Sequence, residues 1–173
     1  MYGRKGALWL AATIGVLALL VPASASALTG PTACNGATEL CDKPFNLVVL
    51  PGTHNSMSNE EYGWLLPNQF ISIPNQLEQG VRSFLIDTHY GRLNESGKVV
   101  NVGRTEGHNN GDTMYLCHEY CTMGASELIP ELTRVAEFLA ANPREVLAFV
   151  NQDAIHADDF ATAVTASGLI DYV

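Results

Sequence analysis

Four short, mainly apolar runs constrain this chain more than any other feature. They lie at 46–50, 81–86, 113–116 and 146–150. Runs of that length bounded by Gly, Pro, Asn or Asp read as buried strands. Within a few residues each gives way to side chains able to do chemistry: His54 and Asn55, Asp87 and His89, His118 and Glu119, then Asn151 and Asp153. Between the third and fourth runs, Leu128, Leu132, Val135 and Leu139 recur at spacings of four, three and four, which sets them on one helix face that Asn142-Pro143 brings to an end. A short helix is expected over 74–79, closed by Gly80, and a last one over 158–164, opened by Asp158 and Asp159. Residues 169–173 are expected to start a fifth strand. Strands apolar on both faces that alternate with helices predict a parallel α/β architecture. In such folds the chemistry gathers at the C-terminal ends of the strands, so the polar strand-end residues are expected to share a pocket.

The amino terminus reads as an export signal. Arg4 and Lys5 precede an uncharged apolar run over 7–21, then Pro22, then the small residues Ala25-Ser26-Ala27. That run is shorter than the roughly 20 residues a spanning helix needs, so cleavage near Ala27 and a secreted product are expected. Cleavage there removes two of nine basic residues and none of the 18 acidic ones, taking the net charge from −9 to −11. A field of that sign repels nucleic acid, which is excluded as a partner. Export also places Cys34, Cys41, Cys117 and Cys121 in an oxidising compartment, where an even count favours disulfides. The pairings Cys34–Cys41 and Cys117–Cys121 each close a short loop. A zinc site built on Cys117, His118 and Cys121 is the competing arrangement, although structural zinc usually takes four ligands. The segment 91–112, rich in Gly, Asn and charge, reads as a long loop containing the sequon Asn94-Glu95-Ser96.

Several stretches together resemble the phosphatidylinositol-specific phospholipase C X-domain family, and its secreted branch in particular. They are Leu50-Pro51-Gly52-Thr53-His54-Asn55-Ser56, then Gln76-Leu77-Glu78-Gln79-Gly80-Val81-Arg82 with Leu85-Ile86-Asp87, then Leu116-Cys117-His118, and finally Asn142-Pro143-Arg144-Glu145-Val146 with Asn151-Gln152-Asp153. The resemblance implies a distorted parallel β/α barrel of the TIM type. A whole barrel usually takes about 250 residues. Residues 28–173 are therefore expected to be the N-terminal part of such a barrel, its first four to five β/α units, in a fragment of a longer protein.

The resemblance also implies a reaction. Cleaving a phosphodiester needs a proton taken from the attacking hydroxyl and one given to the leaving oxygen, and histidine does both near neutral pH. By resemblance His54 is the general base, His118 the general acid, and an inositol ring hydroxyl the nucleophile, releasing diacylglycerol. A phospholipid or related phosphodiester is then the substrate, met in transient contact with a membrane surface by a monomer. Metal-independent relatives carry an arginine where this chain has Asp87, and calcium-dependent ones carry an acid where it has Leu85. Calcium is the expected cofactor, with Asn55, Asp87, Asn151 and Asp153 as donors. Asn55, Asp87, His89 and Arg82 are expected to line the phosphate or substrate site, and Arg92 is a further candidate cation. His108 and His156 read as solvated or structural. Trp64, Phe70 and Tyr62 read as packing residues before they read as a membrane rim. A different phosphodiester substrate is the second reading. A non-catalytic module binding lipid or another surface is the third, favoured by Leu85 and by the lack of an arginine at 87.

Overall fold

A computed structural model describes residues 32–104 and 112–173; the expected signal segment 1–27 and His108 lie outside them. Among the described residues the architecture is mixed α/β, a six-stranded mixed sheet with three α-helices. The long strand β2 (Ser83–Leu93) organises it. On one edge β2 pairs in parallel with β1 (Gly52–Thr53) and antiparallel with β4 (Thr113–Leu116). On the other edge it pairs antiparallel with β3 (Val99–Val102) and in parallel with β6 (Ala148–Asp153). β5 (Ser126–Glu127) extends the sheet from β4.

Side chains alternate along β2. Phe84, Ile86, Thr88 and Tyr90 are buried, and the three apolar ones join one core with Leu128, Leu132, Val135 and Leu139 of α2 (Leu128–Ala141). Phe149 of β6 stacks on Phe84 at 5.2 Å between ring centroids. The opposite face carries Leu85, Asp87 and His89. α1 (Ile73–Glu78) packs on α2, and α3 (Ala157–Ala166) follows β6. Tyr90 hydroxyl donates to Asp159 and accepts from His156 N–H at 2.9 Å, fixing the start of α3 to the sheet.

All three helices stand where the sequence predicts them, and both disulfides, Cys34–Cys41 and Cys117–Cys121, form as paired. Four expectations need correction. Residues 46–50 are not a strand: a 3-10 turn occupies Phe45–Leu47, Val49 is 94% exposed, and β1 holds only two residues. The sheet is mixed, because β2, β3 and β4 are joined antiparallel. Much of 91–112 is no loop, since β2 runs on to Leu93 and turns through Asn94–Lys98 into β3. The chain end is a 3-10 turn, Leu169–Tyr172, entered through Gly168 at φ 77°, a left-handed conformation that suits glycine.

Arg82 is also relocated. Its guanidinium pairs with Glu145, donates to the carbonyls of Leu77 (2.6 Å) and Val81 (2.9 Å), and lies 5.0 Å over the Phe138 ring. It pins the beginning of β2 to α1, α2 and the approach to β6. At about 3.3 Å per residue, that is about 16 Å from Asp87 along the strand.

Glu131, on α2, is buried; its Oε1 accepts from Arg134 Nη1 at 2.8 Å, and its buried Oε2 has no hydrogen-bond partner. Burial pushes its carboxyl above the ordinary carboxylate range, against the pull of Arg134. A carboxyl raised by folding binds its proton more tightly in the native state, so stability falls as pH rises from the unfolded pKa through the folded one. Glu131→Gln removes that term. Its unfolding free energy should gain on the wild type as pH rises from about 4 toward neutrality, read from paired urea titrations. A difference that stays flat with pH contradicts this account of Glu131.

Candidate active site

Two backbone hydrogen bonds set the site. Leu85 and Asp87, two residues apart, turn their carbonyls toward the same edge of β2. Leu85 C=O accepts from Ser56 N–H at 2.8 Å, just after β1 ends, and Asp87 C=O accepts from Cys117 N–H at 3.2 Å, just after β4 ends. β1 and β4 reach this edge from opposite directions, so His54 and His118 arrive at neighbouring positions, about 7 Å apart in backbone register. Each is followed by a residue with positive φ, Asn55 at 50° and Glu119 at 58°. Asparagine tolerates that region well; a glutamate there is uncommon and marks a turn held by its surroundings.

The first turn is held from below and from the side. Gln76 of α1 donates from Nε2 to the carbonyls of Ser56 and Ile71, both at 2.8 Å, and its Oε1 accepts from Thr53 Oγ1 at 2.7 Å. Asn68 Oδ1 accepts from the buried Asn55 amide at 3.3 Å, and Gln69 Nε2 donates to His54 C=O at 2.7 Å. The second turn is closed by the Cys117–Cys121 disulfide, both of whose cysteines are buried. A groove of about 250 Å³ beside His118 is lined by Trp64, Leu65, Leu66, Tyr120 and Met123 among others. Trp64 is buried against Gly124, while Phe70 is 84% and Tyr62 41% exposed, so the three aromatics do not form one rim.

Asp87 lies beneath the two turns and is only 5% exposed. Burial raises its carboxyl above the usual range; His118, His89 and His54 pull it back down, and Glu119 pushes it up. Three of the sequence-predicted site histidines therefore act on one buried carboxylate. Burial lowers the His89 imidazole, against the fields of Asp87 and Glu119. Asn101, on β3, contacts His89 Nδ1 through Nδ2 at 3.3 Å and donates from Nδ2 to Glu119 C=O at 2.9 Å, while its Oδ1 accepts from Cys121 N–H at 2.8 Å. Asn101 was not singled out from the sequence; the one signal is that it is the lone polar residue of the run Val99-Val100-Asn101-Val102.

The four expected calcium donors are divided. Asn151 stands opposite Ile86 and accepts from Thr88 Oγ1 at 3.1 Å; Asp153 stands opposite Thr88. Both belong to the face of the sheet that carries Phe84, Ile86 and Thr88, whereas Asp87 belongs to the other. Gln152, opposite Asp87, is the β6 residue on the histidine side. Among the described residues no three His, Cys, Asp or Glu side chains gather as a metal cluster. Calcium takes six to eight oxygens. The groups around Asp87 are mainly imidazoles, so this expected donor set does not fit the ion. Arg92 pairs with Asp112 and is largely exposed, away from the cluster.

Fold and site together define a disulfide-bonded α/β domain with an imidazole–carboxylate cluster on one strand edge. The family profile PI-PLC X matches residues 40–173, and the chain belongs to that family. Among curated relatives it is 34% identical, over 95% of its own length, to a protein of Arthroderma benhamiae named "PI-PLC X domain-containing protein 1", covering 48% of that protein. It is 30% identical, over 84% of its length, to an "Uncharacterized secreted protein" of the same organism, covering 29% of it. The chain thus spans less than half the length of either relative. No solved structure matches it significantly. A relative named as secreted agrees with the two disulfides, which belong to an oxidising compartment.

Asp87→Asn tests the electrostatics of the cluster. Without the carboxylate that raises it, the His89 imidazole should titrate at lower pH than in the wild type when followed by NMR. An unchanged or higher midpoint places His89 outside the field of Asp87.

Proposed function

We propose that this chain is the histidine-bearing part of a secreted phosphodiesterase of the phosphatidylinositol-specific phospholipase C type, acting on phosphatidylinositol-type glycerophosphodiesters. One observation carries the reading: His54 and His118 are brought to adjacent carbonyls on the same edge of β2, above one buried carboxylate that responds to both. In the reaction, His54 takes the proton of the inositol hydroxyl as its oxygen bonds to phosphorus. His118 gives a proton to the glycerol oxygen as its bond to phosphorus breaks. The products are a cyclic inositol phosphate and diacylglycerol, and the proton gained by one ring balances the proton lost by the other. Asp87 stabilises whichever ring is protonated. The parallel set β1–β2–β6, with α2 in the crossover, is what the first units of a β/α barrel would supply, and the sheet face bearing Asp87 and His89 would be its inner face.

A second reading, a non-catalytic module that binds lipid, is favoured by Leu85 and by the engagement of Arg82 with Glu145, which together leave the phosphate without a fixed cation from this part of the chain. Turnover decides between the two. Phosphatidylinositol in mixed micelles should be cleaved by the full-length wild-type protein of which this chain is part, and in it His54→Ala and His118→Ala should each reduce kcat by about 10²–10⁴-fold. Both variants should unfold within about 0.5 kcal/mol of the wild type, since neither ring is a core residue. Full activity in both variants ends the acid–base reading. Vesicle binding by an inactive wild type selects the binding module. A parallel series with chelator and added calcium addresses the metal: loss of turnover on chelation would mean that donors other than the four expected ones hold it.

A further inference from the structure

Asn101 forms a hydrogen-bond hub beside the histidine pair that the acid–base chemistry does not use. Its side-chain amide is held at both ends by backbone groups with a single possible role. Cys121 N–H can only donate, and it meets Oδ1 at 2.8 Å; Glu119 C=O can only accept, and it lies 2.9 Å from Nδ2. These two contacts fix which end of the amide is oxygen. The second hydrogen of Nδ2 is then available to His89 Nδ1, 3.3 Å away. An amide nitrogen only donates, so Nδ1 accepts, and the neutral ring carries its proton on Nε2. Among the described residues no hydrogen bond engages His89 Nε2.

The sheet builds this arrangement locally. Asn101 pairs with Gly91 across the β2–β3 ladder, and Tyr115 pairs with His89 across the β2–β4 ladder, so all four share one face. A Cβ on Gly91 would lie 2.6 Å from Val99 Cγ1 and 2.8 Å from Tyr115 Cδ2, which is why the position between His89 and Asn101 has no side chain. Tyr115 and Val99 fill that space.

We propose that Asn101 is a positioning residue of the phosphodiester site: it holds His89 as the Nε2–H tautomer and ties that ring to the turn carrying His118, so that His89 donates a hydrogen bond to a non-bridging phosphoryl oxygen. The proposal rests on the phosphodiesterase reading. The lowered His89 imidazole agrees with a neutral ring, which offers one donor and keeps its proton through the reaction. A preset donor aimed at oxygens that gain charge in the transition state stabilises it without reorganisation. His89 thus supplies part of what an arginine at position 87 supplies in the metal-independent relatives.

The test uses the full chain with labelled histidine and long-range imidazole proton–nitrogen NMR, which reports the tautomer directly. The wild type should show His89 protonated on Nε2. In Asn101→Asp the carboxylate still accepts from Cys121 but presents an acceptor to Nδ1, so His89 should move to the Nδ1–H form or to the imidazolium. Inositol 1-phosphate should shift the His89 Nε2–H resonance in the wild type and not in Asn101→Asp. The disulfide closes the His118 turn without Asn101; should Asn101→Asp still fail to fold, Asn101→Ala makes the same comparison, with both tautomers expected. In turnover, Asn101→Asp should lose about ten-fold in kcat with KM changing less, and His89→Gln, which keeps an N–H near the Nε2 position, should exceed His89→Ala by about three- to ten-fold. A wild-type His89 protonated on Nδ1, or a tautomer indifferent to Asn101, overturns the proposal. A wild type that passes the tautomer and phosphate tests but turns over no substrate overturns the phosphodiesterase reading instead.

Discussion

The rest of the site depends on two carbonyl groups of β2. Leu85 and Asp87 face one edge of the strand, and that edge receives the chain just past His54 at the first and just before His118 at the second. Residues more than sixty positions apart in sequence are thereby held at a fixed separation by main-chain hydrogen bonds, which side-chain substitution at the histidines does not disturb. Buried backbone donors and acceptors must be paired, so the spacing of the imidazoles is enforced by the same rule that holds the sheet together.

The frame behind these carbonyls is stiff. Phe84, Ile86 and Tyr90 lock one face of β2 into the core with α2, Arg82 ties its beginning to Glu145, and Tyr90 ties its middle to Asp159 and His156. The histidine turns are supported by groups of matching character: Gln76 under the first, the buried disulfide and Asn101 around the second. A buried carboxylate whose pKa is raised by desolvation and restrained by three imidazoles is the kind of perturbed group that concentrates at functional sites, and here it coincides with the geometric convergence.

Much of this was legible in the sequence, and the failures have physical causes. α2 could be read from Leu128, Leu132, Val135 and Leu139, because a period of 3.6 has few competitors over fourteen residues. His54 and His118 do stand just past β1 and β4, but Asp87 and His89 lie inside β2 and not at its end; they face the same way because side chains two apart share a face. Residues 46–50 misled because β-branched content reports a fit to a pleated surface, and Val49 has no such surface to meet. Strand direction was misjudged because the turn Asn94–Lys98 was taken into a long loop; a connection that short joins only antiparallel strands. Asn151 and Asp153 were assigned to the site by their nearness to a strand end, yet side chains alternate with a period of two, and a shift of one residue moves the whole set to the other face. Arg82 was kept among the phosphate-site candidates although pairing with a nearby acid was the reading preferred for it, and Glu145 is that acid, with the Leu77 and Val81 carbonyls beside it.

The central claim is that His54 and His118 grip one phosphate between them. It is tested most directly by titrating the full chain with a non-hydrolysable phosphonate analogue of phosphatidylinositol's headgroup diester while following both imidazoles by NMR. The account predicts that the two rings respond together, along one saturation curve with a single Kd. Response of one ring alone, or two curves with different Kd values, would contradict it.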